Sequence, residues 1–294
     1  MFEQQLVNGF TLGLIYALIA VGYTMVYGVI ELINFAHGEI YMLGAFLTVS
    51  FISMGLPLPL AALLAMLATA AIGVLLDIVA YRPLREAPRL AALITAIGMS
   101  IFLQNLAMII WGSRPLPFPR QSLPAFFGEP ALRFSDVTVT WMQMVIYLVA
   151  LALMVGLNLI ITKTRTGTAM RALAQNRTAA ALMGINVNRV ISFTFALGSG
   201  MGAVAGVMVS MYYNTMYPTM GYLAGVKAFA AAVLGGIGSV PGAMLGGVAL
   251  GIAETLGAGY ISSPYRDGVA YAVMILVIIF RPSGFLGRSM VEKA

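Results

Sequence analysis

The polar side chains that follow the first hydrophobic segment are the first candidates for chemistry in this sequence. Asn34, the only histidine (His37) and Glu39 lie within residues 31–46, ELINFAHGEIYMLGAF. Ionisable groups beside membrane-depth sequence are costly, and they usually face protein or a water-filled path. With Gly38, these residues could line a pathway or gate, or could form a buried hydrogen-bond set that holds two helices together. The second interpretation is favoured. Counting hydrophobic segments places the stretch nearer the cytoplasm, where a gate is more expected than a substrate site.

A glycine- and proline-rich break interrupts the apolar segment at 223–260. Its sequence, GGIGSVPG, contains Gly235, Gly236, Gly238 and Pro241. Two helices that meet at a break fit this pattern, and so does one discontinuous helix. The glycines could therefore be unwound backbone that lines a pathway, or a tight turn between closely packed spans.

Two carboxylates within the apolar sequence could bind a coupling ion. Asp77 and Glu254 are the candidates, since ion-coupled carriers tend to keep carboxylates in mid-span. Asp77, however, lies near the end of a hydrophobic segment. Glu254 could also pair with Lys227 or with an arginine, and this structural role is the favoured one.

The motifs of the common enzyme classes are missing from the sequence. There is no GxxxxGK[ST] loop for nucleotide phosphates, no Gly-x-Ser-x-Gly and no HExxH. One histidine and ten carboxylates are a poor set for a hydrolytic or redox site. The sequence therefore favours a transporter or channel subunit without a cofactor of its own over an enzyme.

The composition is that of a polytopic membrane protein. Of 294 residues, 61% are hydrophobic and only 9% are charged, whereas soluble domains carry about 25% charged residues. Since a spanning helix needs about 20 apolar residues, roughly eight to ten spans fit the length. We expect a single all-α transmembrane domain over 1–294. The absence of cysteine excludes disulfides. The net charge of +6 does not indicate nucleic acid, because basic residues mark the inner face of membrane proteins.

The basic residues also predict an orientation. Eleven of the sixteen lie in the 82–89 loop, the 163–189 loop and the C-terminal tail, which we therefore place in the cytoplasm. Counting back through three spans puts the N-terminus outside, while the C-terminus lies inside. Nine crossings satisfy both ends if the 223–260 segment crosses twice. The proline-rich loop at 112–140 is then external, where it could dock a partner or act as a plain connector.

The longest polar passage, residues 163–189, predicts a short amphipathic helix between two spans. Ala179, Leu182 and Met183 share one helical face. Asn176 or Thr178 can cap the start of this helix, and a glycine at 184 can end it. The helix could lie in a solvated loop, or it could dock small apolar side chains into a groove of a soluble partner.

Four stretches of the sequence resemble a known family. They are GYTMVYGVIELINFAHGEIYMLGAF, ALITAIGMSIFLQN, ALMGINVNRVISFTFALGSGMGAVAG and GVKAFAAAVLGGIGSVPGAMLGG. The chain is similar to the LivH-type permease of the bacterial high-affinity branched-chain amino acid ABC importer. The likeness extends from the first span to the tail. A urea and short-amide permease branch has related NFAHGE-like and GGIGS-like segments, but the strings here are closer to the amino-acid branch.

The resemblance implies a place in a larger assembly. The chain would be a multi-pass inner-membrane permease, paired with a LivM-type second permease. Two cytoplasmic P-loop ATPases would bind ATP, and a periplasmic amino-acid-binding protein would deliver leucine, isoleucine or valine. The resemblance also assigns a coupling helix, which docks on the ATPase, to these positions: Ala179, Ala180, Leu182, Met183, Gly184, Ile185 and Asn186.

Two other functions remain open from the residues. A urea or short-amide permease would share the architecture. A stand-alone ion-coupled carrier or channel would work without an ATPase, and neutralising Asp77 or Glu254 would impair it.

Overall fold

The computed structural model describes residues 1–30, 32, 34–85, 87–134, 137–281 and 283–287, so Arg288 and Lys293 of the basic tail lie outside it. Within these ranges the chain forms eleven α-helices and one two-stranded sheet. The helices are α1 (Phe2–Ile30), α2 (His37–Ser53), α3 (Leu58–Leu76), α4 (Arg89–Trp111), α5 (Trp141–Lys163), α6 (Arg165–Gln175), α7 (Arg177–Leu182), α8 (Val187–Tyr213), α9 (Met220–Gly235), α10 (Val240–Tyr260) and α11 (Arg266–Phe280). The strands are β1 (Pro130–Phe134) and β2 (Val137–Thr140).

Membrane-length helices dominate the described part of the chain. Seven of its helical segments are long and apolar enough to cross a membrane: α1, α3 with its extension to Leu84, α4, α5, α8, α10 and the segment Ser263–Phe280. The prediction of a polytopic helical bundle is therefore confirmed. The helices α2 and α9 are shorter, with 17 and 16 residues.

Helix α1 is the central helix of the bundle, and most of its length is buried. It packs antiparallel against α10 at a seam of glycines, where a Cβ atom on Gly13 would lie 2.7 Å from Val248 Cα. Glycine allows the two backbones to approach this closely, as in other membrane helix pairs. Helix α2 makes a similar contact with α8, where a Cβ on Gly44 would lie 2.4 Å from Ala203 Cα.

The short helix α2 begins inside the bundle rather than at its surface. His37, its first residue, lies beside Gly22 of α1. Because Gly22 precedes the end of α1 by eight residues, the His37 ring lies about 12 Å inside that end at 1.5 Å per residue. Gly38 contacts Gly221 and Gly225 of α9. The first turns of the two short helices therefore meet in the interior of the protein.

The broken segment at 223–260 forms a helical hairpin. Helices α9 and α10 run antiparallel and contact each other at Gly235 and Gly242 and at Ala231 and Gly246. The turn needs glycine at two positions, since Gly236 and Gly238 have φ of +101° and +91°. The Ser239 side chain accepts a hydrogen bond from the Gly242 N–H and caps α10.

The two ends of the bundle differ. At the β-hairpin end, the start of α1 is tied to β2 because the Gln4 side chain exchanges two hydrogen bonds with the Thr138 backbone (3.1 and 2.8 Å). At the other end, which we call the α7 end, α1 finishes beside the α9–α10 turn, with Gly28 near Gly238. Both described basic loops, 82–85 and 163–189, also lie at the α7 end.

The 112–140 loop contains a β-hairpin that the sequence analysis did not predict. Strands β1 and β2 are antiparallel, with an irregularity between Pro130 and Leu132. A second link pairs Leu116 with Met216 in the α8–α9 connection. Thr140 and Gln143 form a capping box that starts α5. The loop is thus held against the bundle at several points.

Candidate functional site

A cavity of about 440 Å³ lies at the β-hairpin end, between α1, α2, α8, α9 and α11. One part of its wall is apolar. Leu12, Val209, Met220 and Leu223 contribute to this part. Four tyrosines also line the cavity: Tyr16, Tyr41, Tyr213 and Tyr217.

The rest of the wall is a cluster of charged side chains. Lys227 Nζ donates to Glu254 Oε1 at 2.9 Å and pairs with Asp267 Oδ1 at 2.5 Å. Arg266 Nε donates to the same Glu254 oxygen at 2.5 Å. Its Nη2 donates to the hydroxyl of Tyr213 at 2.6 Å. The four ionised groups come from α9, α10 and α11, and their charges sum to zero.

The members of this cluster differ in exposure. Glu254 is fully buried and Lys227 is nearly so, and Tyr16 donates a further hydrogen bond to Glu254 Oε1 at 3.1 Å. By contrast, 32% of the Arg266 side chain and 47% of the Asp267 side chain are exposed. Glu254 thus links α10 to α1, α9 and α11 from inside, whereas Arg266 and Asp267 face the cavity. The sequence indicated that Glu254 could pair with Lys227 or with an arginine, and in the structure it pairs with both Lys227 and Arg266.

The predicted pathway residues of the first polar stretch are all buried and are not among the residues that line this cavity. Asn34 Oδ1 accepts from the Tyr81 hydroxyl at 2.7 Å, and Glu39 Oε1 accepts from the Ser100 hydroxyl at 2.9 Å. Within the described part of the chain, His37 Nε2 and Glu39 Oε2 have no hydrogen-bond partner. Asn34 and Glu39 thus join neighbouring helical segments by hydrogen bonds, and the role of this stretch in a pathway or gate stays a prediction.

Four aromatic side chains pack against one another between the cavity and the α7 end. The Tyr23 ring lies 5.1 Å from the His37 ring and 6.1 Å from the Phe229 ring, and Phe35 lies 6.1 Å from Phe229. We call these four residues the aromatic plug. Beneath it, Tyr23, Thr24 and Ile237 border a water-sized space of about 10 Å³.

The glycines predicted to line a pathway lie apart from the cavity. Gly235 is the last residue of α9, and Gly236 and Gly238 form the turn at the α7 end. The chain beyond α11 packs against this turn, with the Leu286 N–H donating to the Gly235 carbonyl at 2.9 Å. Pro241 lies in the first turn of α10. The structure therefore places the two predicted residue sets at different depths: His37 of the first set is part of the aromatic plug, whereas the glycines form the turn at the α7 end.

The predicted coupling residues form a compact exposed unit. Asn176 Oδ1 accepts from the Ala179 N–H at 2.9 Å and caps α7. Ala180 is buried, whereas Leu182 and Met183 are 83% and 82% exposed. Gly184 ends the helix with φ of +82°, and Asn186 caps α8. Ala179 is exposed and Ile185 is partly buried.

Asp77 lies at the α7 end, in an ion-pair network rather than in mid-span. It contacts Arg85 Nη2 at 2.5 Å and Arg82 Nη2 at 3.5 Å. The hydroxyl of Ser192 donates to its second oxygen at 2.7 Å. Arg85 also donates to Asn188 Oδ1 at 2.6 Å. The network connects the end of α3 to the first turns of α8.

Sequence reasoning missed Arg266, Asp267 and the tyrosines of the cavity. A possible signal was the adjacent opposite charges of Arg266 and Asp267 at the start of an apolar helix. The tyrosines gave no signal, because Tyr16 and Tyr217 are about 200 residues apart in the sequence and the four meet only in the folded bundle. Among the described residues, no group of three or more histidine, aspartate or glutamate side chains is placed to hold a metal ion.

Comparison with known proteins identifies the family. The family model described as branched-chain amino acid transport system / permease component matches residues 5–278. The chain is 49% identical over 302 residues to the high-affinity branched-chain amino acid transport system permease protein BraD of Pseudomonas aeruginosa, covering 99% of this chain and 98% of BraD. It is 48% identical over 304 residues to the corresponding permease LivH of Escherichia coli, covering 99% and 97%.

A solved structure shares the fold. The PsaBC complex from Streptococcus pneumoniae with a Fab contains a chain that matches with a TM-score of 0.50 and 15% identity, covering 96% of this chain and 93% of that chain. At this identity the likeness concerns the fold alone. From the family match and the near full-length relatives, the chain belongs to the family of permease components of branched-chain amino acid transport systems.

Proposed function

We propose that this chain is a transmembrane permease subunit of an ATP-binding-cassette importer that moves leucine, isoleucine and valine into the cytoplasm. The observation that carries the proposal is the match at 48–49% identity, over nearly the whole length, to branched-chain amino acid permeases. The geometry supports it, because an open cavity at one end is separated by an aromatic plug from an exposed docking helix at the other.

The proposed route runs along α1, α2 and α9. With the N-terminus outside, the β-hairpin end faces the periplasm and the cavity is open to it. The substrate would enter between α8, α9 and α11, and the aromatic plug would block its passage. Opening requires that the first turns of α2 and α9 move apart. Gly38 and Gly221 contribute no side-chain bulk at this crossing. The protein would then release the substrate past Thr24 and Ile237 towards the α7 end.

The coupling helix is proposed at α7. Leu182 and Met183 are the apolar side chains that dock on the ATPase, while buried Ala180 anchors the helix to the bundle. The cap at Asn176 and the positive φ of Gly184 fix its entry and exit directions. Because α8 begins at Val187, a displacement of α7 acts directly on α8. The Asp77 network carries the displacement on to α3.

The complete importer requires partners that the chain does not contain. We propose a LivM-type second permease, two cytoplasmic P-loop ATPases and a periplasmic amino-acid-binding protein, all assembled at the bacterial inner membrane. The whole chain, 1–294, would act as one permease domain. The loop at 112–140 would form the periplasmic surface of the permease, and the binding protein would dock on its β-hairpin.

The test is purification of a tagged copy from its native membrane in mild detergent, with its partners identified and counted. A stoichiometric complex with P-loop ATPases and a second permease supports the proposal. A chain that purifies alone and transports in proteoliposomes without ATP contradicts it and identifies an ion-coupled carrier. Uptake of labelled leucine by the complex then addresses the substrate: excess valine should suppress it, and excess urea should not. Suppression by urea alone would identify an amide permease.

A further inference from the structure

The cavity has two chemically different walls. Its apolar wall includes Leu12, Val209, Met220 and Leu223. The charged wall presents the first two residues of α11, Arg266 and Asp267, side by side. A ligand that fills this space must therefore combine an aliphatic part with polar groups of both signs.

The two charged residues keep bonding capacity on their exposed sides. Within the described part of the chain, Arg266 donates through Nε to Glu254 and through Nη2 to Tyr213, which uses two of the five N–H donors of a guanidinium. Asp267 accepts from Lys227 through Oδ1, which leaves its other oxygen for a second partner. Lys227 differs, because it is nearly buried and already contacts Glu254, Asp267 and Tyr16.

We propose that this cavity binds the zwitterionic head of an α-amino acid, with the α-carboxylate on Arg266 and the α-ammonium on Asp267. The aliphatic side chain lies on the apolar wall. Lys227 and Glu254 are positioning residues, which hold Arg266 and Asp267 in place without touching the substrate. This inference rests on the proposed function and deepens it, because it assigns the recognition of the amino acid head to two residues of the permease.

The charge balance of the cluster selects for a zwitterion. Since Lys227, Glu254, Arg266 and Asp267 sum to zero, a ligand of zero net charge with separated charges adds no uncompensated charge to the wall. A cationic ester or an anionic keto acid would leave one buried or half-buried partner unmatched. Urea, which carries no charges, would form no ion pair with the exposed side of Arg266 or of Asp267.

The experiment uses the complete complex in proteoliposomes with its binding protein outside and ATP inside. Two quantities are measured for each variant: uptake of labelled leucine and hydrolysis of ATP stimulated by the loaded binding protein. The variants are Arg266→Gln and Asp267→Asn. Each leaves Glu254 paired with Lys227, so the fold keeps its buried ion pair. Glu3→Gln is the control, because Glu3 is an exposed carboxylate in the first turn of α1, at the same end of the bundle.

We expect each variant to lower leucine uptake by about tenfold or more, the effect of one lost charge-assisted contact, while stimulated ATP hydrolysis is retained. The amount of leucine moved per ATP therefore falls, which a purely structural role would not cause. Asp267→Glu should recover part of the uptake because it keeps the charge. Glu3→Gln should match the unmodified complex. Unchanged uptake per ATP in both variants would overturn the proposal.

A separate pair of variants decides the case in which a neutral variant fails to assemble. Arg266→Lys keeps the positive charge but loses the planar fork, and Asp267→Glu moves the carboxylate. Reduced uptake per ATP in these assembled complexes supports the proposal, and unchanged uptake per ATP opposes it. Failure of the proposed function has a different signature, since the unmodified complex and Glu3→Gln would then also fail to transport leucine or to hydrolyse ATP.

Discussion

The single Oε1 atom of Glu254 collects three donors, from Tyr16, Lys227 and Arg266. The Glu254 carboxylate therefore has two cationic partners, Lys227 and Arg266. The carboxylate of Asp267, which pairs with Lys227, brings the net charge of the cluster to zero. Such a neutral cluster is a poor binding site for a transported proton or sodium ion, because its charges already satisfy each other. The Asp77 carboxylate is likewise compensated by two cations, Arg82 and Arg85. Neither carboxylate therefore favours an ion-coupled carrier.

Removal of the Glu254 carboxylate should weaken the bundle strongly. Glu254→Ala leaves Arg266 and Lys227 with one fewer anion in a buried site, and breaking a buried ion pair costs about 3–5 kcal/mol. We expect a clear fall in the thermal unfolding midpoint of the detergent-solubilised complex. Glu3→Ala, at an exposed position, should change the stability by less than about 0.5 kcal/mol. Equal unfolding midpoints for the two variants would show that the cluster does not contribute to the stability of the bundle.

At the scale of helices, the contact between α1 and α10 depends on glycine. A Cβ on Gly13 would meet the Val248 backbone, with 2.7 Å to Cα and 2.9 Å to the carbonyl oxygen. A backbone neighbour cannot rotate away, so Gly13→Ala must separate the two helices. We expect it to lower the stability by about 1–3 kcal/mol, measured by thermal unfolding in detergent.

The matched control for this helix contact is Gly156→Ala in α5. A Cβ on Gly156 meets no atom within 4 Å, and alanine favours the helix by up to about 1 kcal/mol relative to glycine. The unfolding midpoint should therefore stay the same or rise. If Gly156→Ala destabilises the protein as much as Gly13→Ala does, close backbone packing is not the cause of the effect.

Helix α7, which we propose as the docking helix, should be sensitive to charge on its exposed face. Leu182→Glu places a carboxylate where the proposed ATPase groove requires an apolar side chain, and burial of an unpaired charge is costly. We expect leucine uptake to fall by about tenfold or more, while the chain remains in the membrane. Gln175→Glu adds the same charge at an exposed position one helix earlier and should preserve uptake. Normal uptake by Leu182→Glu would remove α7 from the coupling role.

The sequence predicted the long helices and the polar loops because hydrophobic length is a local property. Asn176 at the start of α7 and Gly184 at its end follow from local capping rules, and they were found. The depth of His37 was not found, since it depends on how α2 packs beside Gly22 and Gly202. The β-hairpin at 130–140 was also missed, because its strands are only five and four residues long. Glu254 was noticed as a carboxylate, but Arg266 became apparent as its arginine partner only from the packing of α10 and α11.

At the scale of the whole molecule, the polar features fall into two sets at opposite ends. The cavity, the β-hairpin and the Arg266–Asp267 pair lie at one end. The α7 helix, the Asp77 network and the α9–α10 turn lie at the other. The aromatic plug and the crossing of α2 and α9 separate these sets. This division fits the proposed importer, in which substrate entry and energy input act on opposite faces of the bundle and access alternates between them.

The orientation of these two ends in the membrane gives the final prediction. The chain has no cysteine, so a single introduced cysteine reports on its own position and no native cysteine has to be replaced. Arg133→Cys in the β-hairpin and Gln175→Cys in α6 are both at exposed positions. With the β-hairpin end outside, a membrane-impermeant thiol reagent should label Arg133→Cys in intact spheroplasts and Gln175→Cys only after permeabilisation. The cysteine-free parent sets the background. The reverse labelling pattern would contradict this orientation. The cavity would then open to the cytoplasm, and α7 would lie on the side of the membrane where no ATP is available.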